Sequence, residues 1–302
     1  MFSSIIIFIL VLLLYLHLQQ QFKYFTDMQI YETKYISKPL FLEESATKLP
    51  MIIHLEEIPS ICLETETLNT EELHVKDVRE IYRNSEVQNL PLSFSRATVL
   101  MDTDKQSAYF SSQNSHVFAN DSFTYITRKW DHLLKPFASF AQYDIMLGSK
   151  FTITPFSYHN ATALFLFIPP RSKEVKIKMC PFSFHPKLQI IEDYASNEGW
   201  SPIPPKTIAS KYGILDFFLY SGKVLFIPPY WFYSIEFFDS KTIVNKVKYT
   251  TPLNALAHIK SFFMNFSQHQ KTPILDREQD TEQDPVEEMS LSEMAISQLK
   301  TI

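Results

Sequence analysis

The stretch Gly222-Lys223-Val224-Leu225-Phe226-Ile227-Pro228-Pro229-Tyr230-Trp231-Phe232-Tyr233 sets how the rest of the chain is organised. It reads as a buried β-strand that starts at a turn glycine and ends at a Pro-Pro corner. Two successive prolines fix φ twice and remove two backbone donors, so the chain must leave its sheet there. The side chains of Tyr230, Trp231, Phe232 and Tyr233 are thereby delivered to one place. Such a corner can present a metal-binding histidine, and this one carries none.

Strand-like runs lie on both sides of the corner. Residues 144–147 lead into a turn at Gly148-Ser149, residues 151–156 alternate, and residues 163–168 run into Pro169-Pro170. Val175, Ile177 and Met179 then alternate with Glu174, Lys176 and Lys178, the pattern of a half-exposed strand. Residues 215–220, 233–238 and 242–247 continue the series. Short strands separated by turn signals predict a barrel or sandwich, mainly β with flanking helices.

The flanks are more mixed. Short apolar runs at 51–53 and 97–101 alternate with polar stretches. Near-helical spacing of Leu73, Val75, Val78 and Ile81 predicts a helix over 71–82. Trp130, Leu133 and Leu134 predict another over 125–137, ended by Pro136. Leu253, Leu256, Ile259, Phe262 and Phe263 share one face of a predicted helix over 253–266, suited to pairing two copies of the chain or to packing on its own body. Residues 271–302 hold eight Asp or Glu against three Lys or Arg, and no aromatic residue. That composition predicts a disordered acidic tail.

Composition narrows the class. At 302 residues, with 45% apolar and 15% aromatic side chains, the chain can bury a large core. Its net charge of −5 equals the surplus of the tail, so the body is near neutral and offers no basic stripe for nucleic acid. Cys62 and Cys180 are too few for a disulfide framework and read as buried thiols.

Phe2 to Leu18 carries no charge, and as a helix these seventeen residues span about 25 Å. Without a basic start or a small-residue cleavage site, this reads as an uncleaved single-pass anchor in an endomembrane, with a cleaved signal peptide as the competing reading. Residues 19–40 read as a tether. Lys23, Lys34 and Lys38 favour a cytosolic body, while sequons at Asn120, Asn160 and Asn265 favour a lumenal one, so orientation stays open. The expected layout is an anchor at 1–20, a mixed region at 21–124, a barrel at 125–250, a helix at 251–270 and the tail at 271–302.

Over roughly residues 125–265 the chain resembles the JmjC-type cupins, the barrel of iron- and 2-oxoglutarate-dependent hydroxylases and demethylases. Val224 to Trp231, closed by Ile235-Glu236, is similar to that family's second metal segment, G-D-V-L-F-I-P-P-Y-W-W-H-x-V-E. Gly148 followed by Thr154-Pro155 resembles the approach to its first metal segment, T-P-x-H-x-D. Residues 173–181 and 240–249 resemble two later barrel strands, with Lys173 and Asn245 near the family's usual lysine and asparagine. The resemblance implies a double-stranded β-helix (jelly-roll) barrel.

The resemblance also implies where the metal ligands should stand, and there the chain departs. Ser157 takes the first histidine position, His159 the carboxylate and Tyr233 the second histidine. Neutral hydroxyls hold Fe(II) poorly, and one imidazole does not make a facial triad. Shifting the register does not help, because Ala161 follows His159, while His132 and His185 fall outside the strands. The expectation is a barrel without metal or cofactor. Ser157, His159 and Tyr233 either plug the former site or line a pocket with Thr154, Lys173 and Asn245. The chain then acts as a binding or scaffolding module for a protein partner. The alternatives are an active oxygenase using Fe(II) and 2-oxoglutarate through unusual ligands, and a structural membrane protein working through its acidic tail.

Overall fold

In the computed structural model, residues 2–56, 68, 71–83, 89–119, 121–170, 172–193 and 198–259 are described. Cys62, the sequon residue Asn120, the second half of the helix expected at 253–266, Asn265 and the acidic tail lie outside them. The first helix, α1 (Phe2–Gln21), is long and apolar enough to cross a membrane or to serve as a signal sequence. β1 (Tyr31–Lys34), α2 (Lys38–Ser45) and β2 (Met51–His54) follow, then β3 (Glu72–Asp77), α3 (Val78–Arg83), β4 (Leu90–Ser93), α4 (Phe94–Thr103) and β5 (Tyr109–Ser111). Next come α5 (Thr124–Leu134), β6 (Phe140–Gly148), β7 (Ser157–His159), β8 (Ala163–Phe167), β9 (Val175–Cys180), α6 (His185–Leu188), β10 (Ile191–Asp193) and β11 (Glu198–Trp200). The described chain closes with α7 (Pro205–Lys211), β12 (Leu215–Leu219), β13 (Lys223–Ile227), β14 (Phe232–Phe237), β15 (Val244–Thr250) and α8 (Pro252–Ala257).

The strands form a nine-stranded sheet, β1-β2-β13-β8-β15-β6-β5-β3-β4, and a six-stranded sheet, β10-β11-β7-β14-β9-β12, and neither closes on itself. The mainly β expectation holds. Residues 125–250 put β13-β8-β15-β6 at the centre of the larger sheet and β7-β14-β9-β12 in the smaller one. Consecutive strands mostly switch sheet, which brings two inner faces onto one core. Leu164, Leu166, Leu225, Ile227 and Val244 of the larger sheet meet Ile177, Met179, Tyr233, Ile235 and Phe237 of the smaller. The other face of the larger sheet, including Phe165, Phe167, Phe226 and Tyr249, is covered by Phe41 of α2 and by Trp130, Leu133 and Leu134 of α5.

Strand period explains these two cores. Alternate side chains of a strand point to opposite faces, so a strand buried on both sides reads as an unbroken apolar run. β8 (Ala-Leu-Phe-Leu-Phe) and β13 are such runs, and both are inner strands. Strands from the first 124 residues extend the same sheet at both edges, β1 and β2 beside β13, β5 beside β6. Residues 1–258 accordingly form one compact unit, with no break near 124.

Several expectations need correction. Residues 71–82 are half strand. β3 pairs with both β4 and β5, burying Leu73 and Val75 at period two, and the helix starts only at Val78. Residues 151–156 form no strand. Phe151 has φ 66° and Pro155 lacks an N–H, so only Ile153 bridges to Glu236. β9 is not half-exposed: it lies between β14 and β12, and Lys178 is buried against Glu236 at 2.6 Å. Residues 19–40 are not a tether, since β1 pairs parallel to β2 and the preceding residues pack on the body. In α8 the buried residue is Asn254, while Leu253 and Leu256 are exposed, so those two do not pack on the chain's own body.

Candidate functional site

Gly222 opens the corner segment with φ 79°, a left-handed turn suited to glycine, and its N–H donates to the Ile168 carbonyl. β13 then aims Leu225 and Ile227 between the sheets and Val224 and Phe226 toward the helices. After Pro228-Pro229 the chain reverses through Tyr230, at φ 67°, whose N–H donates to the His159 carbonyl at 3.2 Å. The corner therefore ties the end of β13 to the end of β7, and β14 leaves it with Tyr233 pointing inward.

Tyr233 and Ser157 are direct cross-strand partners. His159 stands two residues further along β7, opposite Glu198 of β11. The three residues expected at the former metal site are thus brought together. His159 is completely buried, and one ring nitrogen, Nε2, lies 3.2 Å from the Ile227 carbonyl. A carbonyl only accepts, so Nε2 carries the proton and Nδ1 keeps its lone pair. Nδ1 has no hydrogen-bond partner among the described residues.

Between these residues and the larger sheet lie four groups that sequence reasoning did not single out. Lys246 of β15 places its Nζ 2.7 Å from Glu198 Oε1 and 3.6 Å from Asp144 Oδ2. Lys248 places its Nζ 3.2 Å from the same Glu198 oxygen. Asp144 stands directly opposite Lys246 on β6 and also accepts the backbone N–H groups of Asn114, Ile145 and Gln113. The Tyr233 phenol lies close enough to Lys246 and Ser157 for both to act on its proton affinity. Two ammonium groups and two carboxylates balance in charge, and their side chains are at most 12% exposed.

Burial and neighbouring charges shift the proton affinities of Glu198, Lys246, His159 and Tyr233, and burial lowers that of Lys248. Burial works against the Glu198 carboxylate, but the ammonium groups of Lys246 and Lys248 outweigh it and hold the carboxyl well below its usual range. Burial likewise works against charge on Lys246, yet Glu198, Tyr233 and Asp144 raise its affinity for a proton. Burial, with the Lys248 charge, pushes His159 down to about 3, so the ring is neutral. Burial pushes Tyr233 up to about 12, so the phenol keeps its proton.

This donor set does not fit Fe(II). A facial triad needs two imidazoles and a carboxylate free to bind the metal. Here stand one imidazole, a protonated phenol and a hydroxyl, and the nearby Glu198 carboxylate is engaged by two ammonium groups. A dication placed among them meets positive charge already there. No three His, Cys, Asp or Glu side chains converge as a metal-binding group among the described residues.

The residues expected to meet a co-substrate do not join the cluster. Thr154 is buried, and its hydroxyl accepts the Ile235 N–H at 2.9 Å, stitching the segment after β6 to β14. Lys173 sits on the surface in an ion pair with Asp239 at 2.9 Å. Asn245 is buried, but strand alternation puts it on the face of Val247 and Tyr249, away from the core between the sheets. The inward residues of β15 are the neighbours Lys246 and Lys248. Their signal was legible only as position: lysines alternating with valine look half-exposed, whereas a strand lying between β8 and β6 must bury both faces. No protein-family model matches the chain, and no curated protein matches its sequence.

Proposed function

We propose that this chain is a membrane-anchored, metal-free jelly-roll protein of JmjC-like type, acting as a binding or scaffolding module for a protein partner. Two observations support the barrel reading. The eight strands β6–β9 and β12–β15 make two four-stranded antiparallel groups with interleaved order, β6-β15-β8-β13 and β7-β14-β9-β12, as in a jelly roll. The segment from Gly222 to Glu236 also forms the strand, Pro-Pro corner and inward strand that its resemblance implies.

The observation that carries the loss of chemistry is Lys246. Its ammonium lies between Glu198 and Asp144 and beside Tyr233, so a fixed positive charge takes the region a metal would need. The two readings left open by the sequence, plug or pocket, are thereby weighted toward the plug. In this reading α1 is the anchor and the membrane belongs to the endomembrane system; its length and apolar composition support the anchor.

Metal analysis and a turnover assay test this. Protein purified anaerobically from iron-replete cells is expected to carry only substoichiometric metal and to consume no 2-oxoglutarate. Stoichiometric iron that disappears in His159→Ala, with uncoupled 2-oxoglutarate turnover, overturns the proposal in favour of an oxygenase with unusual ligands.

A further inference from the structure

The aromatic corner that no longer serves a metal serves a second purpose, visible on its outer side. Tyr230 donates or accepts a hydrogen bond with His258 Nε2 at 3.0 Å, just beyond α8. Its ring packs edge-on to Tyr24, which also meets Phe182, and Phe22 meets the His258 ring edge-on at 5.3 Å. From another side Lys48 donates to the carbonyls of Gln20 and Lys23, at 2.6 and 2.8 Å, which satisfies the carboxyl end of α1 with a positive charge. α1 also lies against α8, partly covering Leu18 and Gln21. The body is therefore seated on the last turn of α1, with no spacer between them.

Helix length then fixes where the body sits. The twenty residues of α1 rise about 30 Å, which matches the hydrocarbon thickness of a bilayer and leaves no helix to act as a stalk. Whatever surrounds Gln21 must stand at the level of the lipid headgroups. A few residues on in the chain, Phe25 and Met28 are each 44% exposed, and on α8, which α1 touches, Leu256 is 43% and Leu253 36% exposed. The residues of α1 from Ile5 to Leu16 are exposed as well. Exposed rings and aliphatic side chains beside a spanning helix are what the interface accommodates, with lysines reaching the headgroups.

We propose that this rim, Phe25, Met28, Leu253 and Leu256 with the rings of Phe22 and Tyr24, is a lipid-facing surface inserted at headgroup level. It rests on the membrane reading of α1 and adds that α8 lies in the interface beside it. The full chain is reconstituted in nanodiscs whose phosphatidylcholine is brominated either near the headgroup or near the bilayer centre. Tryptophan emission is read as the increment over the parent, whose Trp130 and Trp231 are buried and whose Trp200 is half-buried. Leu256→Trp is expected to emit at short wavelength and to lose intensity to the shallow bromines. Ile9→Trp loses intensity to the deep ones. Phe218→Trp, at the strand end remote from the corner, responds to neither. Unquenched Leu256→Trp beside quenched Ile9→Trp overturns the rim and leaves the anchor standing, as does equal quenching of Leu256→Trp and Phe218→Trp. Unquenched Ile9→Trp removes the membrane reading, and the rim with it.

Discussion

Tyr233 on β14 faces Ser157 on β7 as its direct cross-strand partner, with the Lys246 ammonium close enough to act on the phenol. In the reading proposed above, the pairing keeps the geometry of a metal site without the metal. A divalent ion crosslinks strands by binding ligands from several of them. Lys246 does related work from within the chain, linking Asp144 of the larger sheet to Glu198 of the smaller one.

Installing ligands alone should not create iron binding. Ser157→His, His159→Asp and Tyr233→His supply the residues of a facial triad, but the Lys246 ammonium still faces them. Adding Lys246→Met to the triple variant should tighten Fe(II) binding by on the order of tenfold or more, about 1.4 kcal/mol or above. Anaerobic titration calorimetry checks this, and equal affinity with and without Lys246 would show that the ammonium does not block the site.

Glu198 holds both lysines, so removing its charge should be costly. Glu198→Gln leaves two buried ammonium groups without their main partner and is expected to destabilise the fold by roughly 3–5 kcal/mol in urea unfolding. Replacing all three members together, Glu198→Gln with Lys246→Met and Lys248→Met, should recover most of that loss. A single variant as stable as the parent would mean that water or another carboxylate compensates.

Acid sensitivity should map onto two groups whose folded affinities for protons are depressed. His159 is held neutral to about 3, while an unfolded histidine binds a proton below about 6.5. The unfolded state then binds more protons between those values, so stability falls as pH drops through that window, by up to about 1.4 kcal/mol per pH unit. Glu198, also depressed, adds a further loss as pH falls below the ordinary carboxylate range. His159→Gln retains a donor for the Ile227 carbonyl and should flatten the slope between pH 6 and about 4.5. Chemical unfolding across that range reads the difference directly.

The corner itself should be sensitive to packing more than to its outer hydrogen bond. Trp231 is fully buried, and Trp231→Ala is expected to cost about 3–5 kcal/mol. Tyr230→Phe removes only the contact to His258 and should cost about 0.5–1.5 kcal/mol, with faster hydrogen exchange in α8 and residues 22–24. Exchange unchanged in both segments would show that Tyr230 does not seat them.

Cys180 should be inert in the native protein. It is completely buried, and burial raises its affinity for the proton well above that of a free thiol. Maleimide should label it only after denaturant is added, with mass spectrometry separating it from Cys62.

Where the sequence reading succeeded, local pattern and fold agreed. The apolar runs that became β8 and β13 could only be inner strands, and α5 followed from the spacing of Trp130, Leu133 and Leu134. It failed where one pattern serves two structures. Leu73, Val75, Val78 and Ile81 fit a helix by spacing, yet the first two belong to a strand held by neighbours far away in sequence. Lys173 and Asn245 were chosen by their place along the chain. Lys173 falls in the turn before β9 and pairs with Asp239 at the surface, while Asn245, one residue from Lys246, points to the opposite face of β15.

The sequence by itself determined the corner, because Gly222 and Pro228-Pro229 restrict the backbone whatever surrounds them. It also determined that Ser157, His159 and Tyr233 carry side chains whose chemistry suits iron poorly. Only the tertiary structure decided which charged groups gather beside them. Asp144, Glu198, Lys246 and Lys248 come from β6, β11 and β15, and nothing local to any of them marks it as buried. Their burial follows from strand order, which sets β15 between two neighbours and turns two ordinary surface-like lysines into the charged centre of the core.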